Sequence, residues 1–348
     1  MIRLVALVAS ALVALGAIAA APAPAAGAAS PAPASPPASA SSASAAAAAS
    51  PPSVDSRPAM LAPLATHAPI TAAARAGARL VAVGDYGIVL LSDDQGRSWR
   101  QARSVAARTL LTGVCFVGER LGWAVGHGGI VLHTDDGGET WRLQHEAGRD
   151  TALLSVWFAD ARHGYAVGSF GRAIATADGG ATWTDLALAS GDDADRHLNH
   201  VFHDARGTLF VAAESGTVFR SRDHGATWST LKPPYKGSFW YGTALADGSV
   251  LIIGMRGNAF RSTDAGDSWS RVATGTERSL AGVAQLSDGK VVVVGASGTV
   301  LVSSDQGHSF AASVRDDRQN LTAVLDAGGG RLALFGQAGV IRDADAKP

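Results

Sequence analysis

One cysteine, Cys115, stands in a chain of 348 residues, so no internal disulfide can support the fold. Its neighbours Gly113, Val114, Phe116 and Val117 read as a buried strand, in which the thiol serves as a small core hydrophobe and not as a nucleophile. Charge imbalance is lacking too: 29 Lys and Arg face 30 Asp and Glu, a formal net charge of −1. That balance removes the bulk electrostatic basis for nucleic-acid binding. The chain has neither a Gly-Lys-Ser/Thr phosphate loop nor a Gly-x-Ser-x-Gly nucleophile turn.

The N-terminus differs from the rest. Residues 1–21 place Arg3 before an almost unbroken Leu/Val/Ala run that ends in small residues around Ala17, Ile18 and Ala19, the pattern of a secretory signal peptide. An uncleaved anchor is the alternative, because an apolar run of about 17 residues is near the lower limit for spanning a bilayer. Residues 22–57 are nearly all Ala, Pro and Ser, have no periodic apolar face, and are expected to stay a disordered linker. The folded domain is therefore expected over residues 58–348, in a periplasmic or secreted protein.

Within that domain one motif, Ser/Thr-x-Asp-x-Gly-x-Ser/Thr-Trp, repeats. It occurs around Asp94 and Trp99, Asp136 and Trp141, Asp178 and Trp183, Asp223 and Trp228, Asp264 and Trp269, and, with Phe for Trp, Asp305 and Phe310. The closing aromatics are 42, 42, 45, 41 and 41 residues apart, the length of one four-stranded propeller blade. Such a motif is a turn: its carboxylate and hydroxyl oxygens accept from backbone N–H groups, its Gly supplies positive φ, and its aromatic packs between blades.

Upstream of each motif lies a strand, a Gly-containing turn and another strand. Gly84-Asp85-Tyr86-Gly87 recurs as Gly126-His127-Gly128-Gly129, Gly168-Ser169-Phe170-Gly171, Glu214-Ser215-Gly216, Met255-Arg256-Gly257, Ala296-Ser297-Gly298 and Gln337-Ala338-Gly339. These read as two-residue hairpin loops. Inner strands opening at Ile70, Leu111, Leu154, Leu198, Trp240, Leu280 and Leu321 make seven units. The expected fold is all-β: a seven-bladed propeller of four-stranded antiparallel blades. The last unit lacks its fourth strand, and Met60-Leu61-Ala62-Pro63-Leu64 is the candidate N-terminal strand to complete it and close the ring.

Val-Gly-x-x-Gly turns combined with Asp-Gly-Gly-x-Thr-Trp boxes resemble the photosystem II stability/assembly factor family of cyanobacteria and chloroplasts, whose relatives also occur in bacteria without a photosystem. The resemblance spans about residues 60–345. It implies a non-catalytic accessory protein without a cofactor, which contacts membrane-protein subunits during assembly through an arginine patch on the propeller. The partner expected is accordingly a membrane-protein subunit or transporter, with no nucleic acid, no small-molecule substrate and a monomeric chain.

Alternating strand directions place the loops between second and third strands on one face with the links between blades, and the Asp boxes on the other. On the link face a cation precedes most inner strands: Arg108, Arg149, Arg196, Lys236, Arg278 and Arg318, joined by Arg172 and Arg256 at the loops. Arg forks match carboxylates, so an acidic segment of a partner is the ligand they favour. Asp150, Asp195, Glu277, Asp316 and Asp317 are close enough in sequence to neutralise them instead, in exposed pairs contributing about 0–1 kcal/mol each. Tyr235 and Trp240, in an aromatic and cationic stretch, are further candidate contacts.

A sialidase-type glycoside hydrolase is the catalytic alternative, with Tyr86 and Glu214 in turns on the link face, although no Arg-Ile-Pro signature is present. A carbohydrate-binding receptor is a third reading. His197, His200 and His203 hint at metal, but strand alternation turns His200 away from the other two, and no metal site is expected.

Overall fold

The computed structural model describes residues 57–341; the expected signal peptide, nearly all of the linker and residues 342–348 lie outside them. The described chain forms seven antiparallel sheets in sequence order, a seven-bladed propeller. Blade 1 shows the unit: strands Ile70–Ala76, Arg79–Gly84, Val89–Ser92 and Arg100–Gln101 hydrogen-bond in that order. Blade 2 adds a fifth strand, Ser104–Val105, which runs parallel to Thr140–His145.

The second strand of each blade is covered on both faces, which explains its composition. Val250–Gly254 and Val291–Gly295 are apolar throughout and buried at every position, whereas the outer strand Ala311–Val314 is exposed at every position. The described hydrophobic core divides into seven clusters, one at each junction between neighbouring blades. Box aromatics sit in these junctions: Trp99 of blade 1 meets Phe335 of blade 7 edge to face at 5.4 Å, and Trp141 is fully buried between blades 1 and 2.

A β-bulge falls at the second residue of each inner strand, and in four of them that side chain bonds to the next blade. Thr71 Oγ1 donates to Leu111 O, Thr112 Oγ1 to Leu153 O at 2.6 Å, and Asn199 Nδ2 to Phe239 O at 2.8 Å. Thr322 Oγ1 donates to Ile70 O at 2.6 Å, which ties blade 7 to blade 1.

In blades 1 to 6 the loops between second and third strands have three residues, not two: Gly84 N–H donates to Ile88 O, leaving Asp85, Tyr86 and Gly87 between them, whereas in blade 7 Gly336 pairs with Gly339 around the expected two residues, Gln337 and Ala338. The glycine that ends the loop is required by the neighbouring link, which comes so close that a Cβ on Gly171 would stand 1.8 Å from Ala194 O.

Met60–Leu64 does not form the expected closing strand. Among the described residues the seventh blade has three strands, Leu321–Gly328, Arg331–Gly336 and Gly339–Ile341. Gln101 holds the segment on blade 1 instead: its Nε2 donates to Met60 O at 2.8 Å and its Oε1 accepts from Ala62 N–H at 3.0 Å. Pro63 has no N–H to give a ladder, which disfavours pairing at this point. A 3₁₀ turn, Ala65–His67, then substitutes for an inter-blade link, with Thr66 O lying against Gly339 as Ala107 O lies against Gly87.

The Asp boxes are satisfied internally. Thr134 Oγ1 donates to Asp136 Oδ1 and accepts from Gly138 N–H at 3.0 Å, while Asp136 accepts from Thr140 N–H at 2.9 Å and from the Thr140 hydroxyl at 2.7 Å. The same pattern surrounds Asp94, Asp178, Asp223, Asp264 and Asp305. Replacing Asp136 by Ala leaves those donors unpaired, with an expected loss of about 1–3 kcal/mol in denaturant unfolding. An unchanged midpoint would contradict the role of the box.

Hydroxyl and backbone donors of the boxes hold Asp94, Asp178, Asp223 and Asp264 at about 2, below their ordinary 3.8. A carboxylate whose pKa is lowered by folding stabilises the fold above its unfolded value and loses that contribution as pH falls through the folded one. The thermal midpoint is therefore expected to hold near neutrality and to drop between about pH 4 and pH 2. A midpoint at pH 2 equal to that at neutrality would refute this account.

Candidate protein-binding face

Backbone hydrogen bonds separate the two faces. Gly87 N–H donates to Thr109 O at 2.7 Å and Gly216 N–H to Gly237 O at 2.7 Å, joining the three-residue loops to the links. The boxes join the opposite hairpins, through Gly137 N–H to Arg120 O and Gly179 N–H to Arg162 O.

The candidate cations fall into two groups. On blades 3 and 4 they are neutralised: Arg172 pairs with Asp185 at 2.8 Å, and Arg196 shares Asp193 with Lys232, at 3.2 and 2.7 Å. Lys232 first, and Arg196 with it, keep the Asp193 carboxyl below the usual carboxylate range. These partners are not the Asp150 and Asp195 that sequence proximity pointed to. Arg108 is half-buried and donates to Pro58 O at 3.3 Å. Arg149 is exposed on the link between blades 2 and 3.

On blades 5 to 7 the cations are open. Lys236, Arg256, Arg278 and Arg318 are exposed, and none of their side chains is held by an ion pair among the described residues. They form a continuous arc. The Arg256 loop sits between the links bearing Lys236 and Arg278, with Met255 N–H donating to Ser238 O at 3.1 Å and Arg256 N–H to Ser279 Oγ at 3.3 Å. The next loop bridges onward, through Ala296 N–H to Ser279 O at 2.8 Å and Ser297 N–H to Asn320 Oδ1 at 2.8 Å. Asp317 is occupied by Arg315 at 3.0 Å, while Glu277 and Asp316 are exposed within the arc.

Tyr235 does not project outward. Its ring packs on Phe239 and Phe260, and its hydroxyl donates to Met255 O at 3.1 Å, making it part of the junction between blades 4 and 5. Trp240 is 38% exposed at the central channel. Sequence reasoning missed Phe170, 69% exposed at a loop tip with φ of 53°. Tyr86 occupies the same position in blade 1, 64% exposed and also at φ 53°. The legible signal was a bulky apolar residue where a left-handed loop tip favours Gly or Asn.

The residues weighed for other chemistry are scattered. Tyr86 and Glu214 belong to blades 1 and 4, and Glu214 Oε1 accepts from His197 N–H at 3.0 Å. His200 lines the central channel, stacked on Tyr241 at 3.7 Å, and burial pushes its pKa down to about 3. His197 faces Phe170 and His203 faces Trp157, so the three imidazoles have separate surroundings. Burial pushes the Cys115 thiol up to about 12, which keeps it protonated and unreactive.

The family described as photosynthesis system II assembly factor YCF48 matches residues 143–298. No curated protein matches the chain. Among solved structures, "YCF48 bound to D1 peptide" is 18% identical with a TM-score of 0.65, covering 81% of this chain and 94% of that one. YCF48 from Cyanidioschyzon merolae is likewise 18% identical, with a TM-score of 0.63 over 81% of this chain and 97% of its own. The WD40 β-propeller domain of Doa1 reaches a TM-score of 0.63 at 14% identity, over 78% of this chain and 91% of its own, a likeness of fold. Box repeat and blade count agree with that partial match: residues 143–298 are similar to the photosystem II assembly factor family, and the fold is that of the YCF48 propellers.

Proposed function

We propose that the protein is a non-catalytic, exported assembly factor that holds an acidic, extended segment of a membrane-protein partner on the link face. The observation that carries this reading is the arc of Lys236, Arg256, Arg278 and Arg318, exposed and without ion pairs among the described residues, on a surface where Arg172 and Arg196 are neutralised. Arg256 and Arg318 stand at φ 54° and 49°, backbone that costs a non-glycine residue about 1–2 kcal/mol. Strain kept at exposed positions is a property of binding sites more than of solvated rims. Phe170 and Tyr86, on the blades away from the arc, provide apolar anchors for the rest of the segment. The solved structure of YCF48 bound to D1 peptide is of a protein with the same fold that binds a peptide. Localisation outside the cytoplasm rests on the residue 1–21 pattern.

The test is affinity capture from detergent-solubilised membranes with wild-type protein, an Arg256→Glu/Arg278→Glu/Arg318→Glu variant, and an Arg97→Glu/Arg206→Glu control on the box face. The arc variant is expected to lose a specific membrane protein that the control retains, with affinity for that partner reduced by about tenfold or more and most strongly at low salt. Equal capture by all three proteins would refute the cationic site.

A further inference from the structure

The junction between blades 3 and 4 departs from the repeat on the box face. At the junction between blades 2 and 3, Cys115 opposes Trp123 across the sheet. Trp123 there is 1% exposed, stacks on Phe158 at 3.5 Å and donates to Gly179 O at 3.1 Å. One blade further on, Trp157 takes the place of Cys115, Tyr165 that of Trp123 and His203 that of Phe158. This junction does not close. Trp157 and Tyr165 are half-buried, and a cleft of about 590 Å³ opens against them.

Its walls combine two chemistries. Trp157 lies nearly parallel to Tyr165, with ring centroids 6.1 Å apart and planes at 15°, and His203 lies 4.6 Å from Trp157. The Tyr165 hydroxyl is fixed by donating to His224 O at 2.5 Å. The polar rim is made of acceptors. His203 Nδ1 meets Asp204 O at 2.9 Å; a carbonyl only accepts, so the proton is on Nδ1 and Nε2 keeps its lone pair in the neutral ring. His163 Nδ1 likewise donates to Asp160 at 2.9 Å, leaving its own Nε2 as an acceptor. His163, together with its backbone N–H, holds the Asp160 carboxyl at about 2, so at neutral pH Asp160 is an acceptor as well.

An aromatic shelf rimmed by hydrogen-bond acceptors asks for a ligand with an apolar face and donors around its edge. A pyranose has that shape: its axial C–H bonds form an apolar face, and its hydroxyls radiate in the ring plane. A metal ion is not favoured, because among the described residues no group of three or more ligating side chains is arranged to hold one. We propose that the cleft between blades 3 and 4 binds a pyranose unit of a carbohydrate, stacked on Trp157 and Tyr165 with its hydroxyls donating to His163 and His203. The site is on the face opposite the cationic arc and does not depend on it.

The experiment is titration of the full-length protein with cellotriose, maltotriose and chitotriose, read by calorimetry and tryptophan fluorescence, beside a blocked phenylalanine tripeptide. His203→Phe, which restores the residue found at the neighbouring junction, and the exposed-site variant His163→Ala are titrated in parallel, with thermal midpoints as a check on folding. Saturable binding of at least one trisaccharide, weakened roughly tenfold or more in both variants, is the expected result. The proposal is overturned if none of the three sugars binds saturably to the wild type, or if binding is the same in folded His163→Ala. Binding of the tripeptide alone would overturn it in favour of a protein-docking cleft.

Discussion

No blade of this propeller can bury its own middle strand. Val250–Gly254 and Val291–Gly295 are apolar at every position, and each is covered only because a neighbour stands on either side. At about 25 cal/mol per Å² of apolar surface, this mutual covering is the dominant favourable term, and it exists only in a closed ring. The last junction to form must therefore be as good as the others. Here it is made by Thr322 donating to Ile70 O, by Trp99 against Phe335, and by the Ala65–His67 turn lying where a link would lie. A strand borrowed from the N-terminus is not needed for closure, since the packing surface lies in the inner and middle strands and not in the outermost one.

Closure also sorts the two faces by chemistry. Box carboxylates and hydroxyls satisfy one another and the backbone within each turn, so most of the polar capacity on that face is consumed in shaping it. Interblade ion pairs add to this, as where Glu139 of blade 2 receives Arg79 and Arg100 of blade 1. The link face has no such motif. Its loops are held by backbone bonds to the links, which leaves the tip side chains free to vary: Tyr86, Phe170, Ser215, Arg256 and Ser297 occupy one position with nearly the same φ, between 53° and 56°. A rigid frame with an interchangeable tip residue is suited to recognising different partners on one fold.

Blade number, strand order and the two faces were legible because each rests on a local, repeated signal: box, loop glycine, β-branched run. What was not legible depends on side chains that meet across blades. Gln101 offers its amide to the backbone of Met60 and Ala62, 41 and 39 residues away, and so diverts a segment whose position in the repeat pointed to blade 7. The pairing of Arg172 with Asp185 and of Arg196 and Lys232 with Asp193 was hidden for the same reason, because sequence proximity pointed to other acids. Tyr235 read as a candidate contact because it stands in an aromatic and cationic stretch, yet its ring folds back onto Phe239 and Phe260.

A repeat protein supplies its own controls, and departures from its consensus carry information that a single site would not. Cys115 with Trp123 shows how tightly a junction can close on this backbone, so the open pair of Trp157 and Tyr165 is not imposed by the fold. Leaving two large aromatics half-covered forgoes burial that a residue such as Phe in place of His203 would recover. That departure weakens the fold locally and gains nothing within the monomer, which is the behaviour expected of a surface shaped by what it binds.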